Sequence, residues 1–306
     1  MILLHYLGVL ANLLMKKYHY DISIIVPGIR NKKWVALYSD IQKACTRFSF
    51  EVIFSGPVPL PSNLQREKHI KYIKNCGSPT RALHLATLIS EGRFFTWLSD
   101  DAHVYPNSID KALDLLLSNK SEQDIICMRY TEGECHSGME QPFSYWTAGS
   151  HADLRVPGVN PNWRAPGVML LALSRYRELG GLDHAFEHLN MNVHDLAFRA
   201  QKDGSTVHLS PTQIMNCDWD STRNRENSPI IAAFLDNDRP LFRKIYQDDS
   251  RPVVIDLENW RFSSPIWERR YNFSRQTNRW VKETLQKLIR RAKAKAKIIV
   301  KRIPTR

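Results

Sequence analysis

Two adjacent carboxylates, Asp100 and Asp101, follow the apolar run Phe94-Phe95-Thr96-Trp97-Leu98 with Ser99 between them. An apolar strand that delivers a carboxylate pair at its C-terminal end is how an open α/β sheet presents a divalent metal to a charged ligand. Neighbouring aspartates stay ionised cheaply only beside a cation or a basic group. A divalent ion bridging Asp101 to a diphosphate would neutralise both partners and stabilise a leaving nucleoside diphosphate. Asp100 suits a water-mediated metal contact or a ribose hydroxyl. The plainer reading is a pair of surface acids at a strand-to-helix turn.

A second constellation is Gly180-Gly181-Leu182-Asp183 with His194-Asp195-Leu196-Ala197-Phe198-Arg199. Asp195 and Arg199 stand four apart on one helical face, the spacing of a structural ion pair. The sharper reading is an acceptor-side carboxylate, because a sugar hydroxyl attacking an anomeric carbon must give up its proton. A third is His208 with Cys217-Asp218-Trp219-Asp220, any of whose side chains could complete a metal shell. A lone histidine after a β-branched residue is equally an ordinary edge-strand residue.

The elements that must position these groups are read from periodicity. Ile22–Val26, Phe50–Phe54, a segment near His69–Ile73, Phe94–Leu98, Asp124–Met128, Gly167–Leu171 and Thr206–Leu209 read as strands. Helices are expected at 33–46, from Ser78 through about Ile89, over Ser108–Leu117 and over Val193–Gln201. Ser78 is the expected N-cap with Pro79 in the first turn, and Gly204 ends the last of these helices. Alternation at this spacing is a doubly wound α/β layout with a mostly parallel first half. Residues 130–165, rich in Gly, Ser, Pro and aromatics, read as a long functional loop, with Trp146, Trp163 and Arg164 as acceptor-wall residues. Three units follow: an α/β domain over 1–222, an irregular arm packed on it over 223–278, and a basic amphipathic helix over 279–306.

The net charge of +12 resides mainly in the last unit: residues 279–306 hold eleven Lys or Arg and one acid, leaving +2 for the rest. Charge there mixes with Trp280, Leu285, Leu288, Ile298 and Ile299, which suits an anionic membrane surface ahead of nucleic acid. Five scattered cysteines form no CxxC pair, which points to a reducing, cytoplasmic compartment, and the tail allows a peripheral position on a membrane. Residues 1–15 are apolar but lack signal-peptide features and are too short to span a bilayer; a helix packed on the body and a membrane-surface contact both fit.

Taken together, Ser23-Ile24-Ile25-Val26-Pro27, Leu98-Ser99-Asp100-Asp101-Ala102-His103-Val104-Tyr105-Pro106, Gly180-Gly181-Leu182-Asp183 and Asp195-Leu196-Ala197-Phe198-Arg199 resemble the motifs of the GT-A glycosyltransferases of family 2. The resemblance covers roughly residues 20–215. It implies a mixed central sheet flanked by helices and an inverting transfer from a nucleotide-diphosphate sugar, most often a UDP-sugar, to a glycan or lipid-linked acceptor. It places Pro27, Gly28 and Arg30 at the nucleotide, with Asn75, Arg81, Ser99 and Asp100 contacting nucleotide and ribose. Mn²⁺ or Mg²⁺ would sit on Asp101, with Asp100 and His208 as further ligands, and Asp195 or Asp183 would be the catalytic base.

The chain departs from that pattern in three places. Ser55-Gly56-Pro57 stands where aspartates hold the base, the first carboxylate of the metal motif falls on Ser99 or Asp100, and Asn192-Val193 replaces the acidic pair expected before Asp195. Competing readings are an inactive nucleotide-sugar-binding homologue, a sugar transferase acting on modified nucleic-acid bases, and a nucleotidyltransferase. For the last, Pro27-Gly28-Ile29-Arg30 is a poor phosphate loop.

Overall fold

The computed structural model describes residues 18–119, 121–132, 145–217, 233–255 and Leu285. Residues 1–17 and the basic segment apart from Leu285 therefore lie outside the described residues, as does the Asp218-Trp219-Asp220 cluster.

The β-branched run after Tyr20 forms β1 (Tyr20–Pro27), whose Ile22, Ile24, Ile25 and Val26 have no exposed surface. A strand buried on both faces is a continuous apolar run rather than an alternating one, the mark of a central parallel strand. It is followed by α1 (Asn31–Ala44), β2 (Phe50–Gly56), β3 (Ile70–Lys74), α2 (Pro79–Leu88) and β4 (Gly92–Trp97). Next come β5 (Ala102–Val104), α3 (Ser108–Ser118), β6 (Ile125–Cys127), β7 (Tyr130–Glu132), β8 (Tyr145–Thr147) and β9 (Arg164–Pro166). The described chain continues with β10 (Met169–Ala172), α4 (Leu173–Glu178), α5 (Leu189–Lys202), β11 (Val207–Leu209), β12 (Met215–Cys217) and α6 (Arg239–Ile245).

Seven strands form the central sheet in the order β11-β6-β10-β4-β1-β2-β3. The pairs β1–β2, β2–β3 and β1–β4 are parallel, while β10 runs antiparallel to both β4 and β6. The expected mixed α/β sheet flanked by helices is thus observed, parallel in its first half. Chain order runs outward from β1 to β3 on one side, and α2 then carries it back across to β4 on the other side of β1. That reversal makes the β1/β4 boundary the topological switch point, beyond whose carboxyl ends open α/β sheets generally take their ligands.

Local signals explain the helix ends. The Ser78 hydroxyl accepts a hydrogen bond from the Arg81 amide at 3.2 Å with Pro79 in the first turn, as expected of an N-cap. Asn107 precedes α3 in the left-handed conformation, φ 56°, and its side chain accepts from the Thr46 hydroxyl.

Two sequence expectations change. The stretch 130–165 is not one long loop, since β7, β8 and β9 lie within it, although 133–144 fall outside the described residues. β7 joins β12 and β5 in a second, three-stranded sheet, so its partners come from distant parts of the chain and not from its neighbours. The arm beyond residue 222 is not wholly irregular either. It contains α6, whose Phe242 packs with Tyr246, Phe186 and Phe198 in a second apolar cluster. Trp163 and Arg164 of the expected acceptor wall are tied into this framework: Trp163 packs beside Phe198, and the Arg164 guanidinium donates to the Val207 carbonyl.

Candidate donor and acceptor sites

Apart from His208, the donor-side residues singled out from the sequence arrive at one edge. Pro27-Gly28, Ser55-Gly56, Lys74-Asn75 and Leu98-Ser99 leave the carboxyl ends of four strands that run parallel. The strand ends are drawn close. The Gly28 amide donates to the Ser55 carbonyl at 2.9 Å, and a side-chain carbon on Gly56 would fall 1.9 Å from the Gly28 carbonyl oxygen. A side-chain carbon on Gly28 would fall 2.4 Å from Asp100 Cβ, so the loop after β1 can lie against β4 because residue 28 carries none.

Asp100 uses that contact. Its Oδ2 accepts from the backbone amides of Ile29 and Arg30, each at 2.7 Å, and its Oδ1 accepts from Arg30 Nε at 2.7 Å and from Arg30 Nη2. The same guanidinium reaches on to Asp101, with Nη1 2.7 Å from Oδ2, and the Ser99 hydroxyl donates to Asp101 Oδ1. Both carboxylates are buried, whereas the Arg30 side chain keeps 32% of its surface. Burial works against the charge on Arg30, yet Asp100 and Asp101 lift its pKa above the ordinary value.

Asn75 and Arg81 form a second donor-side pair. The Arg81 guanidinium donates to the Asn75 side-chain oxygen, which also accepts from the Gly77 amide at 3.2 Å. Where the resemblance expects base-holding aspartates, the Gly56 carbonyl accepts from the Tyr72 hydroxyl and the Asn75 amide. Backbone and hydroxyl groups, not carboxylates, line that end of β2.

The acceptor-side residues are assembled differently. Thr80 of α2 donates to the Glu187 carbonyl at 3.1 Å, which holds the 183–188 loop against the donor-side helix. Asn192, standing in the place of an acid, spends its amide on the main chain of Asp183, accepting from its N–H at 2.8 Å and donating to its carbonyl at 2.7 Å. Asp183 itself accepts from the Ala185 amide and from Arg251 Nη2, both at 2.7 Å.

Asp195 is fully buried. Its oxygens accept from Arg199 Nε at 2.8 Å, Arg251 Nε at 2.8 Å, Arg251 Nη2 at 2.9 Å and the Tyr246 hydroxyl at 2.9 Å. Burial would raise its pKa, but the two guanidinium groups outweigh burial and hold it below the usual carboxylate value. A base must meet solvent or substrate and be willing to take a proton. Asp195 does neither, and the expectation that it is the catalytic base is corrected here: it is the centre of a buried ion network. Arg251 and Tyr246, which complete that network, had no signal in the sequence because they lie more than 50 residues away along the chain.

His208 is also relocated. It lies on the edge strand β11, and its Nε2 sits 3.0 Å from Oδ2 of Asp124, at the start of β6. Since β6 and β4 both run antiparallel to β10, the start of β6 is at the opposite end of the sheet from Asp101. His208 therefore does not join the carboxylate pair as a metal ligand.

The described donors do not fit a resident Mn²⁺ or Mg²⁺. Such ions want free carboxylate oxygens, whereas here all four oxygens of the pair accept from Arg30, Ile29 or Ser99. Among the described residues, no group of three or more His, Cys, Asp or Glu could hold a metal ion. No helix among them is long and apolar enough to cross a membrane.

No family model and no curated protein matches the chain. Solved structures of S. aureus TarS are similar to it. One aligns at 14% identity and a TM-score of 0.45, over 74% of this chain and 44% of TarS, so the chain spans less than half of that protein. TarS 1–349 in complex with UDP aligns at 13% identity and 0.46, over 74% of this chain and 70% of that one. TarS 1–349 alone gives 14% and 0.46, over 79% and 72%.

Proposed function

We propose that the chain is a glycosyltransferase that moves a sugar, with inversion, from a nucleotide-diphosphate sugar (a UDP-sugar first among them) to a hydroxyl of a glycan or lipid-linked acceptor. The observation that carries this reading is convergence. Four strand ends separated in sequence by about 20 residues or more, two of them carrying the Ser23–Pro27 and Leu98–Pro106 motifs, meet at one sheet edge, at the topological switch point, with the Asp183 loop bonded to the helix beside it. In this reading Pro27, Gly28, Asn75 and Arg81 bind the nucleotide. Asp183 takes the acceptor proton, since Asp195 is sealed. Purified protein incubated with a panel of nucleotide sugars and analysed for released nucleotide and transferred sugar tests it. Turnover undiminished by Asp183→Asn would reject the base assignment, and no release from any donor would reject transfer.

A second reading, a nucleotide-sugar-binding homologue without turnover, is favoured by Asn192, whose side chain is committed to the Asp183 main chain instead of supplying a carboxylate. Donor binding without release identifies it. Docking of residues 279–306 on an anionic membrane surface accompanies either reading and is tested by co-sedimentation with anionic liposomes against duplex DNA binding.

A further inference from the structure

The pair Asp100–Asp101 must be charge-compensated, and this chain itself supplies one positive charge and three neutral hydrogen-bond donors to it. One guanidinium, Arg30, bridges both carboxylates, while the amides of Ile29 and Arg30 occupy the remaining oxygen of Asp100 and Ser99 that of Asp101. We propose that Arg30 is the resident cation of this site: it takes the place of a divalent metal on the aspartate pair and presents its exposed face to an anionic ligand, so that ligand binding is metal-independent. The proposal rests on the donor-site reading above only for the nature of the anion, a nucleoside diphosphate.

Three features support the assignment. Arg30 is built in, not adventitious: its own backbone amide and its side chain bind the same aspartate. Its fork geometry matches carboxylates in a way a lysine ammonium does not. Its side chain remains one-third exposed although its partners are buried, so a ligand can reach it.

The test is an Mn²⁺ titration of the ligand-free protein, followed by electron paramagnetic resonance, on wild type, Asp101→Asn, Arg30→Ala and the double variant Arg30→Ala/Asp101→Asn. Wild type is expected to bind no Mn²⁺ where Arg30→Ala binds one equivalent, and adding Asp101→Asn is expected to abolish that gain. Circular dichroism confirms that each is folded, with Arg30→Gln in reserve. One equivalent bound by wild type and lost in Asp101→Asn overturns the proposal. So does binding by neither wild type nor Arg30→Ala, because Arg30 would then be excluding nothing. In parallel, UDP affinity of wild type is expected to be equal in EDTA and in Mn²⁺, and to fall about tenfold or more in Arg30→Ala without metal. UDP affinity that requires Mn²⁺ in wild type also overturns it. If no nucleoside diphosphate binds at all, the donor reading fails, while the Mn²⁺ titration still decides the role of Arg30.

Discussion

The two halves of the candidate site use the same chemistry, aspartates held by arginines, and put it to opposite ends. On the donor side Asp100 and Asp101 are joined by one arginine from a loop, whose side chain is one-third exposed. On the acceptor side Asp195 is held by two arginines and a tyrosine with no surface left on the carboxylate. Burial makes the difference. An ion pair left partly open to solvent can meet a ligand, whereas a sealed one costs several kcal/mol to break and so fixes the fold around it.

The largest expected effect breaks the sealed half. Arg251→Ala strands Asp195 and Asp183 without their shared partner and is expected to cost about 3–5 kcal/mol, read as a drop in calorimetric Tm. Loss of less than about 1 kcal/mol would place the network among surface pairs and erase the contrast between the halves.

On the donor side the tight element is the glycine. Gly28→Ala forces a methyl into Asp100 and is expected to cost about 1–3 kcal/mol, together with a loss of nucleotide binding. Unchanged binding would show that the approach of the β1 loop to β4 does not shape the ligand site.

Acid should loosen the sealed half. His194 is 4% exposed on α5, and burial, with the nearby His151 and His188, lowers its pKa to about 3. A depressed folded pKa contributes stability that is fully present above the ordinary histidine value and is lost as pH falls toward the folded one. Stability is therefore expected to decline by about 1–2 kcal/mol between pH 7 and 5, and His194→Gln should flatten the decline. A flat profile in wild type would mean that the imidazole does not stay neutral.

The smallest effect belongs to neither half. His208→Ala removes a partly exposed pair with Asp124 and should change stability by less than about 1 kcal/mol and nucleotide affinity not at all. Weakened binding in this variant would return His208 to the site.

Much of the framework was legible because it follows from short-range rules. The unbroken apolar run of β1, the turn residues that end β2, and the Ser78-Pro79 start of α2 each carry their own signal. The donor edge was legible for the same reason, since parallel strands joined by right-handed crossovers bring their carboxyl ends together. The strands inside 130–165 were not, because three-residue strands acquire their identity from partners far away, as β7 does from β12. Nor was α6, whose meaning lies in Phe242 and Tyr246 meeting Phe198 of α5.

The sequence by itself determined that Asp100 and Asp101 stand at a strand tip and that Asp195 and Arg199 share a helical face. Both are matters of spacing within one element. Tertiary structure alone decided what those carboxylates do, because their decisive partners come from far along the chain: Arg30 is 70 residues from Asp100, and Arg251 is 56 from Asp195. Charge on an aspartate is a local fact, but its compensation and its exposure depend on which remote groups the fold packs against it.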